Sequence, residues 1–305
     1  MPLLGTTSAP ANVYHDIDTF LRPRPRTRGT LLSVAREIPR DQLVRNGVDR
    51  TLAGVEFTPW PASARTREPA NCDTVYDKST IREVDDTVAQ PSFLMWDRIE
   101  CSTGGLELDW LVDAALQGLD DYVTVALALE LEDPNSGGFG LRGNATYTPT
   151  VGSATAEPIA VAIARLEEYL AGSKWAGAMG VIHLTPALLT LAAAAEVIMW
   201  DPSAGSMGAY VTPTGHCVVG DAGHLGSAAP QGQSGAGTDE AWIYATSDVW
   251  YALGSTSPLS ITQAGTADEA VRYMGRNKNR PLLERAGLVV FDPNVLGATL
   301  ADMDP

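Results

Sequence analysis

The sequence predicts an α+β protein whose front portion is extended and lacks a core of its own. Residues 1 to about 100 hold nine prolines, among them Pro23, Pro25, Pro39, Pro59, Pro61, Pro69 and Pro91, with only scattered apolar runs. Proline fixes φ, removes a donor and pushes the preceding residue toward extended geometry. Such a stretch cannot bury enough apolar surface to offset its ordering entropy. Behind it lie long apolar periodicities of helical spacing and, later, short runs that favour strands. The front portion still carries Phe57, Trp60, Tyr76, Phe93 and Trp96, large rings that favour burial. An arm with anchors and no core finds that core on neighbouring copies, so the pattern points to an assembly protein.

Taken in order, residues 1–50 form the arm, with a short helix expected from Arg40 to Asn46 before Gly47. Residues 51–98 alternate extended segments (Thr74 to Tyr76, Ser79 to Val84) with charged turns, which reads as a two-stranded flap. An isolated hairpin is only marginally stable in water, so it needs a surface to lie on. The strongest helix runs from Leu106 to Leu131, with Leu108, Leu111, Ala115, Leu119, Tyr122, Val123, Ala126 and Leu129 as its inner face and Asp109 in its first turn. Asp133-Pro134-Asn135-Ser136-Gly137-Gly138 stops it. A second helix spans Glu157 to Ala171, with Thr155 as candidate N-cap, Pro158 in the first turn, and Ile159, Ile163, Leu166 and Leu170 inward. Ala178 to Leu184 reads as a buried strand leading into a helix from Pro186 to Met199. Strands follow at Ala209 to Val211, Cys217 to Val219, Ala241 to Thr246 and Val249 to Ala252, with Gly223 to Gly237 a mobile, exposed loop. The closing extended stretches, Gly287 to Phe291 and Leu296 to Leu300, flank the turn Asp292-Pro293-Asn294. There is no internal repeat.

Composition excludes several classes. The chain has 305 residues, 45% apolar and 19% charged, ordinary for a water-soluble globule. The richest apolar stretch, Leu184 to Trp200, is broken by Thr185, Pro186, Thr190 and Glu196, so no membrane span is expected. The N-terminus lacks the basic and apolar regions of a secretory signal. The net charge is −16, yet residues 1–50 hold eight arginines and five acids (+3), leaving −19 on the other 255 residues. A body this acidic is a poor nucleic-acid binder, since phosphate contact needs clustered cations. Arg22, Arg24, Arg26 and Arg28 alternate with Pro23, Pro25 and Thr27. They read as a solvated extended stretch, with a contact to an acidic neighbouring subunit as the main competitor and nucleic-acid contact third. Cys72, Cys101 and Cys217 have no metal-like spacing and suggest reduced thiols, with a Cys72–Cys101 bridge as the alternative.

The order of these pieces resembles the major capsid protein of tailed bacteriophages, the Hong Kong phage-type coat-protein fold shared with encapsulins. Val181-Ile182-His183-Leu184-Thr185-Pro186-Ala187-Leu188-Leu189 is similar to the strand-to-helix passage of that family's apical domain. Tyr210 through Val219 is similar to the segment after it. Asn277 through Pro293 is similar to the closing strands. No piece is diagnostic alone; the weight lies in order and spacing over most of residues 50–305. The resemblance implies an N-terminal arm (1–50) and an extended loop (51–98). It implies a peripheral domain with a spine helix (99–135 and 264–286) and an apical domain (136–263 and 287–305). It further implies pentamers and hexamers tiling an icosahedral virion head around double-stranded DNA, assembled in the host cytoplasm, with no membrane and no cofactor. Scaffolding, portal and decoration proteins would be further partners. An acidic wall suits that role, because packaged DNA must slide along it. An encapsulin-like container or another virion part is the alternative within this class.

Some members of that family weld subunits through an isopeptide bond between a flap lysine and an asparagine, beside a glutamate. Lys78, Asn277 and Glu284 are the candidates here. Aligning on Glu284-Arg285, however, puts Arg276 and Leu283 at the asparagine and glutamate positions. From a different class, His216, Asp221 and His224, with His183 upstream, would supply imidazoles and a carboxylate to a metal-dependent hydrolase. Their spacing matches no zinc signature, and a helical HExxH arrangement is absent. No phosphate loop or GxSxG elbow occurs either, so no enzyme is expected.

Overall fold

The computed structural model describes residues 28–38, 55–57, 88–98, 101–102, 108–134, 138–147, 155–172, 178–227, 229–258, 272–273, 278–279 and 282–304. The expected helix at Arg40 to Asn46, the segments Thr74 to Tyr76 and Ser79 to Val84, and Cys72 lie outside them. The mixed α and β content agrees with the expected class.

The centre is an eight-stranded mixed sheet. Its path runs Thr146–Tyr147, Leu296–Asp302, Glu240–Thr246, Val181–Leu184, Cys217–Gly220, Ala209–Val211, Met199–Asp201, and Glu157–Pro158 also pairs with Leu296–Asp302. Glu240–Thr246 sits antiparallel to both neighbours, while Val181–Leu184 and Cys217–Gly220 run parallel. Side chains alternate across a strand, so Ala241, Ile243 and Ala245 face one layer and Trp242 and Tyr244 the other. Both layers are filled. On one side the helices Ile159–Gly172 and Pro186–Ala194 place Ala162, Ile163, Leu166, Leu170, Leu188 and Leu189 against the sheet. On the other lies the helix Leu108–Glu132, with Leu119, Val123, Leu127 and Leu131 in the same cluster as Trp242 and Tyr244. A sheet covered on both faces explains why Val181–Leu184 and Cys217–Gly220 are buried throughout.

The long helix has 25 residues, about 38 Å at 1.5 Å per residue. It carries a second, five-stranded sheet in which Leu282–Val290 is the hub. Trp250–Leu253 and Ser257–Pro258 pair along one side of the hub and Phe93–Arg98 pairs with it separately, all antiparallel, while Arg36–Glu37 runs parallel beside Trp250–Leu253. Val55–Phe57 pairs antiparallel with Val88–Gln90. The Gln90 amide anchors this ribbon, accepting from Phe139 N at 2.8 Å. Cys101–Ser102, Lys278–Asn279 and Arg272–Tyr273 form a small third sheet.

Several expectations need correction. The second helix starts at Ile159, not Glu157, so Thr155 is not its cap; Glu157 precedes a proline, is driven extended, and pairs with Ala301 instead. The helix after Pro186 ends at Ala194, and Met199–Asp201 is a strand against Ala209–Val211. Glu196 turns the chain with φ 57°, and edge pairing overrides the helix propensity of the alanine run. Tyr122, expected in the inner face of the long helix, is exposed. The Gly223 to Gly237 loop is tied down. Trp242 N donates to Gly226 O at 2.7 Å, Trp242 Nε1 to Ser234 O at 3.2 Å, and Ala236 N to Ser227 O at 3.4 Å. Leu31–Val34 is a short helix that the sequence did not announce.

Two local features carry predictions. Thr185 Oγ1 accepts from Leu188 N at 3.3 Å and caps the Pro186 helix; Thr185→Ala is expected to cost about 1 kcal/mol of stability, measured by urea unfolding. Gly205 has φ 65°, and a Cβ there would collide with the Ser33 carbonyl, which accepts from Ser206 N at 2.8 Å. Gly205→Ala is therefore expected to cost at least about 1–2 kcal/mol by the same measurement.

Candidate functional site

The end of the long helix builds a buried polar junction. Glu130 and Glu132 stand in its last turn, where the helix dipole disfavours carboxylates, so compensation must come from elsewhere. Leu225 N donates to Glu132 Oε2 at 2.7 Å, and His224 Nδ1 lies 3.2 Å from the same oxygen, off the line of a hydrogen bond. His224 Nε2 donates to the Trp242 carbonyl at 3.2 Å, and its ring meets Tyr244 edge-on. Beside it, Asp221 Oδ2 accepts from Leu31 N at 2.7 Å, a bond between residues 190 apart. That carboxylate sits at the start of Leu31–Val34, and Gly220 N donates to Gly29 O at 2.8 Å. The front of the chain is thereby stitched to the central sheet.

His183 Nε2 bonds Thr246 Oγ1 at 2.9 Å. Burial, reinforced by His224, pushes its pKa down to about 3. His216 is elsewhere: its Nδ1 accepts from Gly180 N at 3.0 Å, fixing the proton on Nε2. Burial lowers its pKa, and Glu167 opposes that. Of the residues singled out from sequence, His183, Asp221 and His224 thus share a small internal void with Leu31, Leu131 and Leu141, and His216 does not join them. Glu132 was missed, since nothing in the helix pattern marks a buried acid. Among the described residues no three His, Cys, Asp or Glu side chains are placed to hold a metal. Each member of the suggested hydrolase set is committed to a different protein partner.

The cross-link candidates separate as well. Lys78 and Asn277 lie outside the described residues, as does Arg276. Glu284 is half-buried in Leu282–Val290, opposite Trp96 and Ser257. Leu283, which the alignment puts in the glutamate position, is core. Arg285 binds Gly254 O at 3.0 Å and Asp120 at 2.8 Å, clamping the hub strand to the long helix.

The surface holds a groove of about 570 Å³ between Phe93–Arg98 and the long helix, lined by Phe93, Leu94, Trp96, Tyr122, Leu129 and Glu130. Leu94, Trp96 and Tyr122 expose 55%, 63% and 46% of their surface there. The signal was present in the sequence: Phe93-Leu94-Met95-Trp96 has no polar alternate, the pattern of a strand covered on both faces.

No protein-family model matches the sequence, and no curated protein does. Solved structures do. A chain from the capsid of a native GTA particle is 12% identical, with a TM-score of 0.53 over 92% of this chain and 99% of that one. The fold is the Hong Kong phage-type coat-protein fold. Also similar are a Gordonia phage Cozz structure (13% identity, TM-score 0.49, 97% and 98% covered) and the holo-SrpI encapsulin of Synechococcus elongatus PCC 7942 (8%, 0.49, 95% and 96%). The expected pieces keep their order along the chain: long helix, strand running into the Pro186 helix, and closing strands.

Proposed function

We propose that this chain is the structural subunit of an icosahedral phage head, self-assembling into pentamers and hexamers around double-stranded DNA. The observation that carries the reading is the end-to-end likeness of fold to a capsid chain. The charge distribution supports it: an acidic body would not adhere to packaged DNA, while the +3 arm complements the acidic bodies of its neighbours. In this reading the eight-stranded sheet with its two helices is the apical domain, and the long helix with the hub strand is the peripheral domain. The flap leading into Phe93–Arg98, a strand that itself pairs with the subunit's own hub strand, would lie across a neighbour. Scaffolding, portal and decoration proteins would join in the host cytoplasm.

Electron microscopy of the expressed protein tests this. Polyhedra, rings or tubes are expected, and a monodisperse monomer at high concentration would end the proposal. Nucleic acid packaged inside native particles separates a head from an enzyme container. Boiling particles in detergent is expected to give one band near 32.3 kDa, because the aligned glutamate position is the buried Leu283. A ladder of multiples would restore Lys78, Asn277 and Glu284 as a welding site.

A further inference from the structure

Residues 28–38 cross from one sheet to the other. Gly220 N donates to Gly29 O at 2.8 Å, Leu31 N to Asp221 Oδ2 at 2.7 Å and Ser206 N to Ser33 O at 2.8 Å. These bonds tie residues 29–33 to the eight-stranded sheet and the turns beside it. Arg36 N donates to Val249 O at 2.9 Å, Ile38 N donates to Tyr251 O at 2.7 Å, and Arg36 pairs with Asp248 at 2.9 Å, which ties the other end to the five-stranded sheet. The two ends cover different things. The helix Leu31–Val34 is one turn long and cannot hold itself in water. Its fully buried Leu31 closes a void of about 10 Å³ whose other walls include His183, Asp221 and His224. A void of that size has room for about one water, too little to hydrate an imidazolium.

The groups around His183 come from several elements. Tyr244 is its register partner on Glu240–Thr246, His224 and Asp221 follow Cys217–Gly220, and Glu132 of the long helix stands beside His224. Burial pushes the Tyr244 phenol up, so that group stays neutral. Even with two carboxylates in the set, burial reinforced by His224 holds His183 near pKa 3. His183 Nε2–H donates to Thr246 Oγ1, which leaves Nδ1 to take a second proton. Lifting Leu31 admits water, relieves the burial and returns the ring toward its ordinary 6.5. Between those values the lifted state takes up a proton that the closed state refuses, so a falling pH favours lifting. The Arg36 end has the opposite sign. Burial pushes the Asp248 carboxyl up against the pull of Arg36, so its proton binds better in the packed state and acid does not loosen that end. We propose that residues 29–33 are an acid-released lid, lifting from the central sheet with uptake of a proton by His183 while residues 36–38 stay paired. The lid is a property of the single chain and goes beyond the shell reading.

Residue-resolved hydrogen exchange of the full, unassembled chain tests this, expressed as protection factors so that the intrinsic pH dependence cancels. At pH 5 the Leu31 amide is expected to be at least about tenfold less protected than the Ile38 amide and the amides of Glu240–Thr246. Below pH 6 its protection is expected to fall by up to about tenfold per pH unit, one proton's worth. His183→Gln is expected to flatten that fall. Leu31 protection equal to that of the central strand at every pH would mean that the segment opens only when the chain unfolds, which would overturn the lid. A fall that His183→Gln leaves unchanged would overturn the trigger. The wild type decides without that variant as well: Leu31 and Ile38 losing protection together in acid would show both ends opening as one, against the proposal.

Discussion

Trp242→Ala is expected to destabilise the isolated chain by about 3–5 kcal/mol and, on the proposed shell reading, to abolish particle formation at 37 °C. Trp242 is fully buried in the central strand, in the cluster shared by the long helix and the eight-stranded sheet. Its loss opens a cavity between layers that cannot collapse, because helix and sheet are both held by other contacts. The residue also organises polar groups: its amide donates to Gly226 O, its indole N–H to Ser234 O, and its carbonyl receives His224 Nε2. Trp242→Phe keeps most of the volume and strands the Ser234 carbonyl, so a loss of only about 1–2 kcal/mol is expected. Urea unfolding of the unassembled subunit measures both. Equal losses for Phe and Ala would mean that the indole hydrogen bond, not the packing, dominates.

What was legible in the sequence was whatever local pattern dictates. The long helix follows from apolar side chains at helical spacing, and the closing strands from apolar runs around Asp292-Pro293-Asn294, where Asn294 N donates to Asp292 Oδ1 at 2.9 Å. Periodicity does not reveal which edge of a wide apolar stripe meets the core. Tyr122 was placed inward for that reason, although the buried row is Leu119, Val123, Leu127 and Leu131. Helix propensity likewise says nothing of an edge strand waiting at Ala209–Val211, which claims Met199–Asp201. Least legible was the polar junction. Asp221 with Leu31 and Glu132 with His224 are contacts between distant parts of the chain. The histidines looked like ligands only because their structural partners could not be seen.

Those partners make the subunit acid-sensitive. His183 is buried and neutral, with a folded pKa near 3 against about 6.5 when unfolded. Between those values the unfolded chain binds the proton and the folded one does not, so stability falls as pH falls. The slope is about 1.4 kcal/mol per pH unit for one such group, or roughly 2.5 kcal/mol between pH 7 and 4.5. His216, also depressed by burial, adds in the same direction. At His183 burial is the larger cause and His224 adds to it. Thr246 Oγ1 donates to the Ser247 carbonyl at 2.9 Å and so accepts from His183 Nε2–H. His183→Gln can keep a hydrogen bond to Thr246 but cannot titrate. Its urea midpoint is expected to fall less steeply than that of the wild type from pH 7 to 4.5, by about one proton's worth of slope, while carboxylate effects common to both cancel. Parallel profiles for the two proteins would show that His183 is already protonated, and hence solvated, in the folded subunit.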